Sequence, residues 1–316
     1  MEDNVEVLIL TSDLDFATDR VCRHLSRHGT SFLRLNREQL SSLALTLDPV
    51  HPELTCRHEE KVWRVGAGLK SVWWRQGTFD RSISDQGLAL QDQMMRSQWP
   101  AFMRSMMAFT GARWVNHPAA VYRAETKAVQ LAAAAKLGFQ VPATLMTNDC
   151  AAPVEARIGA EVALKSIDTF LLREGPDQLF GYTTLLPWQA VATPELRQAP
   201  VTAQQALTEK NDLRVTVIGD HLWAVEVGRG GAPVEGDWRL TPKEEISVTT
   251  IDLPSAEQQR CKDLLGELGL LYGAIDLVQA GGETWFIEVN PTGEWGWLDG
   301  AERPIAKTIA EYLACN

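Results

Sequence analysis

The chain has 316 residues, 45% of them hydrophobic and 22% charged, which is typical of a globular protein with two or three subdomains. Its formal net charge of −11 argues against nucleic-acid or anionic-membrane partners, which need a positive field, and no apolar run approaches a membrane span. The five cysteines are scattered, without CxxC spacing, and predict reduced thiols in a cytoplasmic protein; zinc, Walker-type and nucleophile-elbow motifs are missing.

The first 115 residues are predicted to form a doubly wound α/β domain. The apolar run VEVLIL (Val5–Leu10) indicates a buried strand, and Thr11-Ser12-Asp13 after it has the composition of a helix cap. Residues 15–28 then show helical spacing, and Phe32–Leu35 indicates a second strand. The opening lacks the GxGxxG turn, so we expect no dinucleotide there.

Two aromatic stretches complete this domain. SVWWRQ (Ser71–Gln76) predicts a strand whose tryptophans pack on the core, in preference to a substrate contact by Arg75. Asp85–Phe109 has apolar residues at three- and four-residue steps, which predicts a long amphipathic helix that Pro100 should kink or break. A methionine-rich helix of this kind is usually core, but its length also favours a homodimer.

Residues 116–205 are predicted to form a central subdomain. An Ala-rich helix is expected over residues 122–138, with Lys127 in its early turns, and a second helix is expected after a cap at Asn148 or Asp149. The strand Val162–Phe170 carries Lys165 among apolar residues, where a lysine needs a partner such as a phosphate. Residues 173–181 are expected to form a glycine-bearing loop able to close over that phosphate.

Residues 206–316 are predicted to form the C-terminal subdomain. LRVTVIG (Leu213–Gly219) and HLWAVEVG (His221–Gly228) indicate a hairpin, and Gly230–Arg239 indicates an irregular functional loop. Ser255–Gln258 resembles a capping box that opens a helix ending at Leu268, and Ala301–Leu313 predicts the last helix.

Residues 272–298 (YGAIDLVQAGGETWFIEVNPTGEWGWL) predict two strands that bring three oxygen ligands together. A period of two places Glu288 and Asn290 on one face of the second strand. Asp276 lies opposite Glu288 if the turn leaves an odd number of residues unpaired, whereas a tight two-residue turn would place it opposite Ile287. We expect the first register. Two carboxylates and an amide oxygen suit Mg²⁺.

Residues 114–314 resemble the ATP-grasp superfamily, and within it the graspetide synthetases, which are microviridin-type maturases of ribosomal peptides. The motifs that carry the resemblance are VPATLMTND, KNDLRVTVIGD, GDWR, LGLLYGAIDLV and FIEVNPTGEWGWL. The resemblance implies an ATP-grasp fold, α/β overall and α+β in its C-terminal part, behind a doubly wound pre-ATP-grasp domain.

The resemblance also assigns roles to individual residues. It places Lys127 and Lys165 on the α- and β-phosphates. It places a hinge, formed by Gln204, Gln205, Ala206 and Leu207, along the adenine edge, with Glu209 or Lys210 near the ribose. It places Arg214 and Arg239 beside the terminal phosphate or acceptor carboxylate, and Asp276, Glu288 and Asn290 on Mg²⁺. Gln205 departs from the acidic residue usual in the hinge, and Gln76 stands where an arginine is common.

The implied function is ATP-dependent macrocyclisation of a precursor peptide composed of a leader and a core. Phosphorylation of an Asp or Glu side chain would be followed by attack of a Thr or Ser hydroxyl, or of a Lys amine, with ADP and phosphate released. Trp295, Trp297 and Leu298 could line the acceptor pocket or simply pack in the core. Two alternatives remain open: a ligase that adds free amino acids to a protein or peptide, and a non-catalytic peptide-binding relic.

Overall fold

The computed structural model describes residues 2–75, 87–168, 171–174 and 177–315. Within these residues none of the helices combines the length and apolar character that a membrane span requires. The N-terminal elements are β1 (Glu2–Val5), β2 (Val7–Thr11), α1 (Phe16–Arg27), β3 (Phe32–Asn36), β4 (Ala44–Asp48), β5 (Glu53–His58), β6 (Lys61–Val65), β7 (Ser71–Trp74), α2 (Leu90–Ser105) and β8 (Arg113–Val115).

The N-terminal region contains the predicted parallel sheet, in the order β3-β2-β7-β8. A second sheet, β1-β6-β5-β4, was not predicted. The run VEVLIL divides between the two sheets at Glu6, which accepts a hydrogen bond from the Ser31 amide at 3.0 Å and pairs with Lys70 at 2.9 Å. The charged side chain of Glu6 therefore lies at the boundary between two strands, which the apolar pattern alone predicts as one strand.

The cap of α1 lies later than predicted. Asp15, rather than the turn at residues 11–13, precedes the helix and accepts hydrogen bonds from the Thr18 amide at 3.3 Å and the Thr18 hydroxyl at 2.8 Å. Helix α2 runs through Pro100 without interruption, so the predicted break at this proline is wrong. Its predicted start at Asp85, like Gln76, lies outside the described residues.

The central elements are α3 (Pro118–Ala124), α4 (Lys127–Lys136), β9 (Thr144–Thr147), α5 (Val154–Arg157), β10 (Glu161–Lys165), β11 (Leu171–Glu174), β12 (Asp177–Phe180), β13 (Thr184–Pro187) and β14 (Val201–Gln205). An antiparallel sheet, β13-β10-β14-β9, covers a small core around Val162, Trp188 and Ala203. Strands β11 and β12 pair as a hairpin where a loop was expected; residues 175 and 176 of that loop lie outside the described residues.

Two helix predictions in this region need correction. The helix expected over residues 122–138 is two helices, which separate at Glu125 and Thr126, so Lys127 is the first residue of α4. The helix expected after Asn148 or Asp149 is a single turn that begins at Val154. Asp149 instead closes a local turn, accepting a hydrogen bond from the Ala151 amide at 3.2 Å.

The C-terminal elements are β15 (Asn211–Ile218), β16 (His221–Arg229), β17 (Ile246–Ile251), α6 (Ser255–Leu268), β18 (Tyr272–Ala280), β19 (Glu283–Asn290) and α7 (Ile305–Ala314). They form the antiparallel sheet β17-β16-β15-β18-β19, which includes the predicted hairpin of β15 and β16. Ser255 is the first helical residue of α6 and its side chain makes no cap, so the capping-box prediction is wrong.

A hydrophobic core lies on each face of the C-terminal sheet. On one face β15 and β18 contribute Leu213, Val215 and Leu277, and helices α4 and α6 cover them. On the other face, helices α1 and α7 and the N-terminal parallel sheet share a core with Ile218 and Val225. The division into residues 1–115, 116–205 and 206–316 stays a prediction, and α4 packs on the C-terminal sheet although it falls in the predicted central part.

Candidate active site

A cavity of about 370 Å³ lies between the central sheet and the C-terminal sheet. It is bounded by the first residue of α4, by β10 and β14, by β15, β18 and β19, and by the irregular loop before β17. Its charged and amide-bearing lining residues are Lys127, Lys165, Gln204, Gln205, Lys210, Asp212, Asp237, Arg239, Asp276, Glu288 and Asn290. The cavity is large enough for a nucleotide-sized ligand.

Asp276 is directly opposite Glu288, as predicted, but the turn is not the predicted one. Ala280 pairs with Glu283, so the turn has only two unpaired residues, Gly281 and Gly282, both with positive φ. The register then shifts beside Asp276, where Ile287 is the extra residue of a β-bulge. The bulge restores the pairing of the two carboxylates that a tight turn alone would have prevented.

Glu288 is the electrostatic centre of the site. Its carboxylate forms an ion pair with Lys127. The same carboxylate lies 3.4 Å from Arg239 Nη1 and 3.5 Å from Asn290 Nδ2. Burial alone would raise its pKa, but the positive charges of Lys127 and Arg239 outweigh burial and lower the pKa of Glu288 to about 2. The group is therefore an anion throughout the physiological pH range.

Asp276 has a cation of its own. Arg214, at the paired position on β15, donates from Nη1 to Asp276 Oδ1 at 2.7 Å. Burial raises the pKa of Asp276, and the Glu288 carboxylate raises it further, whereas Arg214 acts in the opposite direction. The Arg214 side chain is only 7% exposed and stands behind the cavity wall, so it reaches the cavity through the Asp276 carboxylate it holds.

Helix α4 is joined to β19 by a buried glutamine. Strand β19 is the edge of its sheet, and Gln130 pairs with its backbone, accepting from the Val289 amide at 3.0 Å and donating to the Val289 carbonyl at 2.8 Å. Val289 lies between Glu288 and Asn290, and Lys127 lies one turn before Gln130. This side chain therefore sets Lys127 relative to the two predicted ligands.

Lys165 lies on the opposite wall. Its Nζ donates to Gln204 Oε1 at 2.7 Å, and Gln204 donates to Thr144 Oγ1 at 2.9 Å. Burial lowers the pKa of Lys165 to about 8. Of the four predicted hinge residues, Gln204, Gln205 and Leu207 line the cavity and Ala206 does not. The backbone amide of Gln205 donates to the Ala143 carbonyl at 2.8 Å.

Asp237 fixes the orientation of Arg239, which lines the cavity. Two bonds of 2.9 Å join the Arg239 guanidinium to the two carboxylate oxygens, and the Thr183 amide donates to Asp237 Oδ2 at 3.2 Å. These bonds lower the pKa of Asp237 against the effect of burial. Because Thr183 precedes β13, Asp237 also links the central subdomain to the C-terminal loop.

Sequence reasoning missed two acidic residues of the cavity, Asp212 and Asp237. Asp237 is part of the GDWR motif, and Asp212 lies two residues before Arg214, so the period of two in a strand could have placed it on the same face. Asp212 forms an ion pair with Lys210, and burial raises its pKa. Lys210 lines the cavity, whereas Glu209 does not.

The aromatic run after Asn290 is mostly core. Trp295 and Leu298 are buried beneath α7, which excludes them from an acceptor pocket. Trp297 is 38% exposed and its ring lies 5.6 Å from that of Trp238, a residue of the cavity wall. Trp297 alone stays a prediction for substrate contact.

The donor set fits a magnesium–nucleotide complex. No group of three or more His, Cys, Asp or Glu side chains within the described residues is arranged to hold a metal. The site offers two opposed carboxylates and one amide instead, and Mg²⁺ typically combines one or two carboxylates with phosphate oxygens and water. Lys127, Lys165 and Arg239 surround the space that the phosphates would occupy.

Comparisons with known proteins identify the fold. No protein-family model matches the sequence, and no curated protein matches it significantly. Among solved structures, a RiPP-associated ATP-grasp ligase from Chryseobacterium gregarium, in complex with ADP and a leader and core peptide, superposes with a TM-score of 0.82 at 24% identity, over 98% of this chain and 96% of that one.

Two further structures extend the comparison. Macrocyclase MdnC from Microcystis aeruginosa MRC, bound with precursor peptide MdnA, gives a TM-score of 0.80 at 22% identity, over 99% of both chains. A RimK domain ATP-grasp protein from Sphaerobacter thermophilus gives 0.60 at 16% identity, over 98% of this chain and 99% of that one. The chain therefore has the ATP-grasp fold, as predicted.

Proposed function

We propose that the protein is an ATP-grasp ligase of the graspetide type, which crosslinks side chains of a ribosomal precursor peptide. ATP would phosphorylate an Asp or Glu carboxylate of the peptide, giving an acyl phosphate and ADP. A Thr or Ser hydroxyl, or a Lys amine, of the same peptide would attack the acyl carbon. An ester or amide forms, phosphate leaves, and the nucleophile loses a proton.

The observation that carries the proposal is the pair of opposed carboxylates in a cavity that Lys127, Lys165 and Arg239 also line. Joining a phosphoryl group to a carboxylate brings two anions together, so the site must neutralise charge and fix the reactants. Asp276, Glu288 and Asn290 would hold Mg²⁺, which screens phosphate charge when bound. Lys127 and Lys165 would hold the phosphates.

Arg239 is the residue that we assign to the incoming carboxylate. It lines the cavity with a side chain that is 45% exposed and therefore accessible to an entering peptide side chain, and Asp237 holds its guanidinium in one orientation. A planar, fixed guanidinium matches a carboxylate or a terminal phosphate. Arg214 is assigned an indirect role, since it holds the Asp276 carboxylate from behind.

The comparisons support a peptide substrate, because two of the similar structures contain a bound peptide. They superpose on this chain with TM-scores of 0.82 and 0.80. The alternative ligase, which adds free amino acids, shares the ATP site and differs only in its substrate. A non-catalytic relic would have no physical reason to keep Lys127, Lys165 and the opposed carboxylates together.

The test uses a candidate precursor peptide rich in Thr, Asp and Glu, incubated with the enzyme, ATP and Mg²⁺. Loss of whole water masses from the peptide, with ADP formed in step, supports crosslinking. A gain of amino-acid masses, when free amino acids are supplied, would replace this proposal with the alternative ligase. Tight nucleotide binding with no mass change across a panel of such peptides would favour the relic.

We further propose a cytoplasmic homodimer. All five cysteines are free thiols, as a reducing compartment requires. Helix α2 leaves Leu90 84% exposed and Met94 60% exposed, which gives a second copy an apolar face to cover. Sedimentation velocity on the wild type and on the Leu90→Glu/Met94→Glu variant tests the dimer: a monomeric wild type, or a variant that still dimerises, contradicts this interface.

A further inference from the structure

The backbone immediately after the candidate metal ligand Asn290 is held by side chains from distant parts of the chain. Four successive carbonyls, those of residues 291–294, each accept a hydrogen bond from such a side chain. Asn116, at the end of β8, donates to the Pro291 carbonyl at 2.8 Å, and Tyr272, at the start of β18, donates its hydroxyl proton to the Gly293 carbonyl at 2.7 Å. A loop that is restrained at every carbonyl has little freedom to move.

Arg75 makes the largest contribution to this arrangement. It follows β7 of the N-terminal sheet, is 2% exposed, and donates to the carbonyls of Thr292 and Gly293, the latter at 2.9 Å. Its Nη2 donates to the Glu294 carboxylate at 2.8 Å, and its Nε lies 3.2 Å from the carboxylate of Asp15, the cap of α1. Two carboxylates therefore face this buried guanidinium, and a buried arginine charge needs such partners.

The last carbonyl of the run closes the connection to the cavity. Arg214, which holds the Asp276 carboxylate, donates from Nη2 to the Glu294 carbonyl at 3.3 Å. The restrained loop therefore touches one candidate metal ligand through the chain, at Asn290, and a second through Arg214. The N-terminal region enters both connections through Arg75, and none of its described residues lines the cavity.

We propose that Arg75 is a positioning residue for the candidate magnesium site, acting through the 291–294 loop on Asn290 and on the Arg214–Asp276 pair. The inference rests on the proposed function for the identity of the cation. Outer contacts that orient metal ligands typically change metal affinity by 10- to 100-fold when they are removed. Here Arg75 follows a strand of a separate sheet, so the N-terminal region would support the metal site although none of its described residues lines the cavity.

The test measures ADP binding by titration calorimetry over a series of MgCl₂ concentrations, with no peptide present. The Asp15→Asn/Arg75→Met variant removes both charges of the buried pair together, and Asn can still cap α1. We expect the apparent Mg²⁺ affinity to fall about tenfold, while ADP binding without Mg²⁺ stays within about twofold of wild type. Tyr272→Phe, which removes one hydroxyl from the loop, should shift the Mg²⁺ dependence in the same direction by about threefold and keeps the test available if the double variant does not fold.

Arg34→Met is the matched control. Arg34 lies on β3 of the same sheet, is largely buried and pairs with Asp19. It donates to the backbone carbonyls of Ser12 at 2.9 Å and Asp15 at 3.5 Å, but within the described residues it forms no hydrogen bond or ion pair with residues 291–294. If it changes the Mg²⁺ dependence as much as the Arg75 variant, the effect is general destabilisation and the inference is overturned. An unchanged Mg²⁺ dependence in folded Arg75 and Tyr272 variants also overturns it. Because no peptide is used, failure of peptide crosslinking would not be mistaken for either result.

Discussion

The carboxylate of Glu288 lies next to three other charged residues of the cavity. Lys127 and Arg239 both contact it, and Asp276 faces it from the neighbouring strand. In the free protein these cations neutralise the carboxylate. A bound magnesium–nucleotide complex would take over both roles, as the cation binds Glu288 and the phosphates attract the released lysine and arginine.

Replacement of Glu288 by Gln keeps the size of the side chain and removes its charge. Lys127 and Arg239 then lose their anionic partner and the metal loses a charged ligand, so we expect peptide-dependent ADP formation to fall by roughly 10²-fold or more. Glu283→Gln, at the exposed start of the same strand, should leave the rate unchanged. Full activity of folded Glu288→Gln would remove the metal assignment.

The pH dependence of nucleotide affinity should report on Lys165. Its pKa in the free protein is about 8 because burial disfavours the charge. Phosphate binding favours the charged form, so affinity is fully present below pH 8 and declines as the pH rises above 8, by up to about tenfold per pH unit. ADP titrations between pH 7 and 9.5 check this decline.

Two variants make the Lys165 experiment specific. Lys165→Gln should bind ADP more weakly and should lose the decline above pH 8, because the titrating group is gone. Lys136→Gln, which changes an exposed lysine at the end of α4, should retain the wild-type profile. A Lys165→Gln profile with the wild-type decline would assign the titration to another group.

At the scale of elements, the contact between α4 and β19 aligns the two sides of the candidate magnesium site. Gln130→Leu would remove the hydrogen bonds to the Val289 amide and carbonyl, which are buried between Glu288 and Asn290. We expect the free energy of unfolding to fall by about 1–3 kcal/mol for each backbone group left unpaired. Urea unfolding measures this loss.

The same variant should weaken ADP binding in the presence of Mg²⁺, because Lys127 and Glu288 lose their common support. Gln259→Leu, on the exposed face of α6 with only an Asp263 contact at 2.8 Å, serves as the control and should change neither quantity appreciably. A Gln130→Leu protein with wild-type stability would show that the amide pairing does not hold the helix to the strand.

The sequence allowed the two hairpins that carry much of the site to be predicted, together with Asp276, Glu288 and Asn290, but Asp212 on the same sheet was missed. Alternation places Glu288 beside Asn290, and the hairpin around Gly219 was predictable from its turn residues. The bulge at Ile287 was not predictable, because nothing in a Trp-Phe-Ile-Glu run distinguishes one unpaired residue from regular pairing. The predicted register was right although the predicted turn was wrong.

Other features depend on contacts between residues far apart in the chain. The separation of α3 from α4 at Thr126 has no proline or glycine to announce it, so Lys127 was placed inside a longer helix. Arg75 follows an aromatic strand in the sequence, and its partners in the 291–294 loop lie more than 200 residues away. Local patterns carry no information on such pairs.

At the scale of the whole molecule, the N-terminal and C-terminal sheets share one core. Helix α7 inserts Ile305, Ile309 and Leu313 between them, where they pack with Val21 and Leu25 of α1. Ile309→Ala should lower the free energy of unfolding by about 2–5 kcal/mol, with a single urea transition by both fluorescence and circular dichroism.

Lys307→Ala, on the exposed side of the same helix, is the control and should change stability by no more than about 0.5 kcal/mol. Two separate transitions in the wild type, only one of them shifted by Ile309→Ala, would show that the two sheets unfold independently. A shared core would then be excluded as the link between the N-terminal region and the cavity.

The most direct test of the proposed chemistry follows oxygen from the peptide to phosphate. A precursor peptide with ¹⁸O in its Asp and Glu carboxylates is converted by the enzyme with ATP and Mg²⁺, and the released phosphate is analysed by mass. An acyl phosphate leaves one ¹⁸O atom in phosphate for every crosslink formed, which is the predicted result. Crosslinked peptide with unlabelled phosphate, or with the label in AMP, would contradict the mechanism.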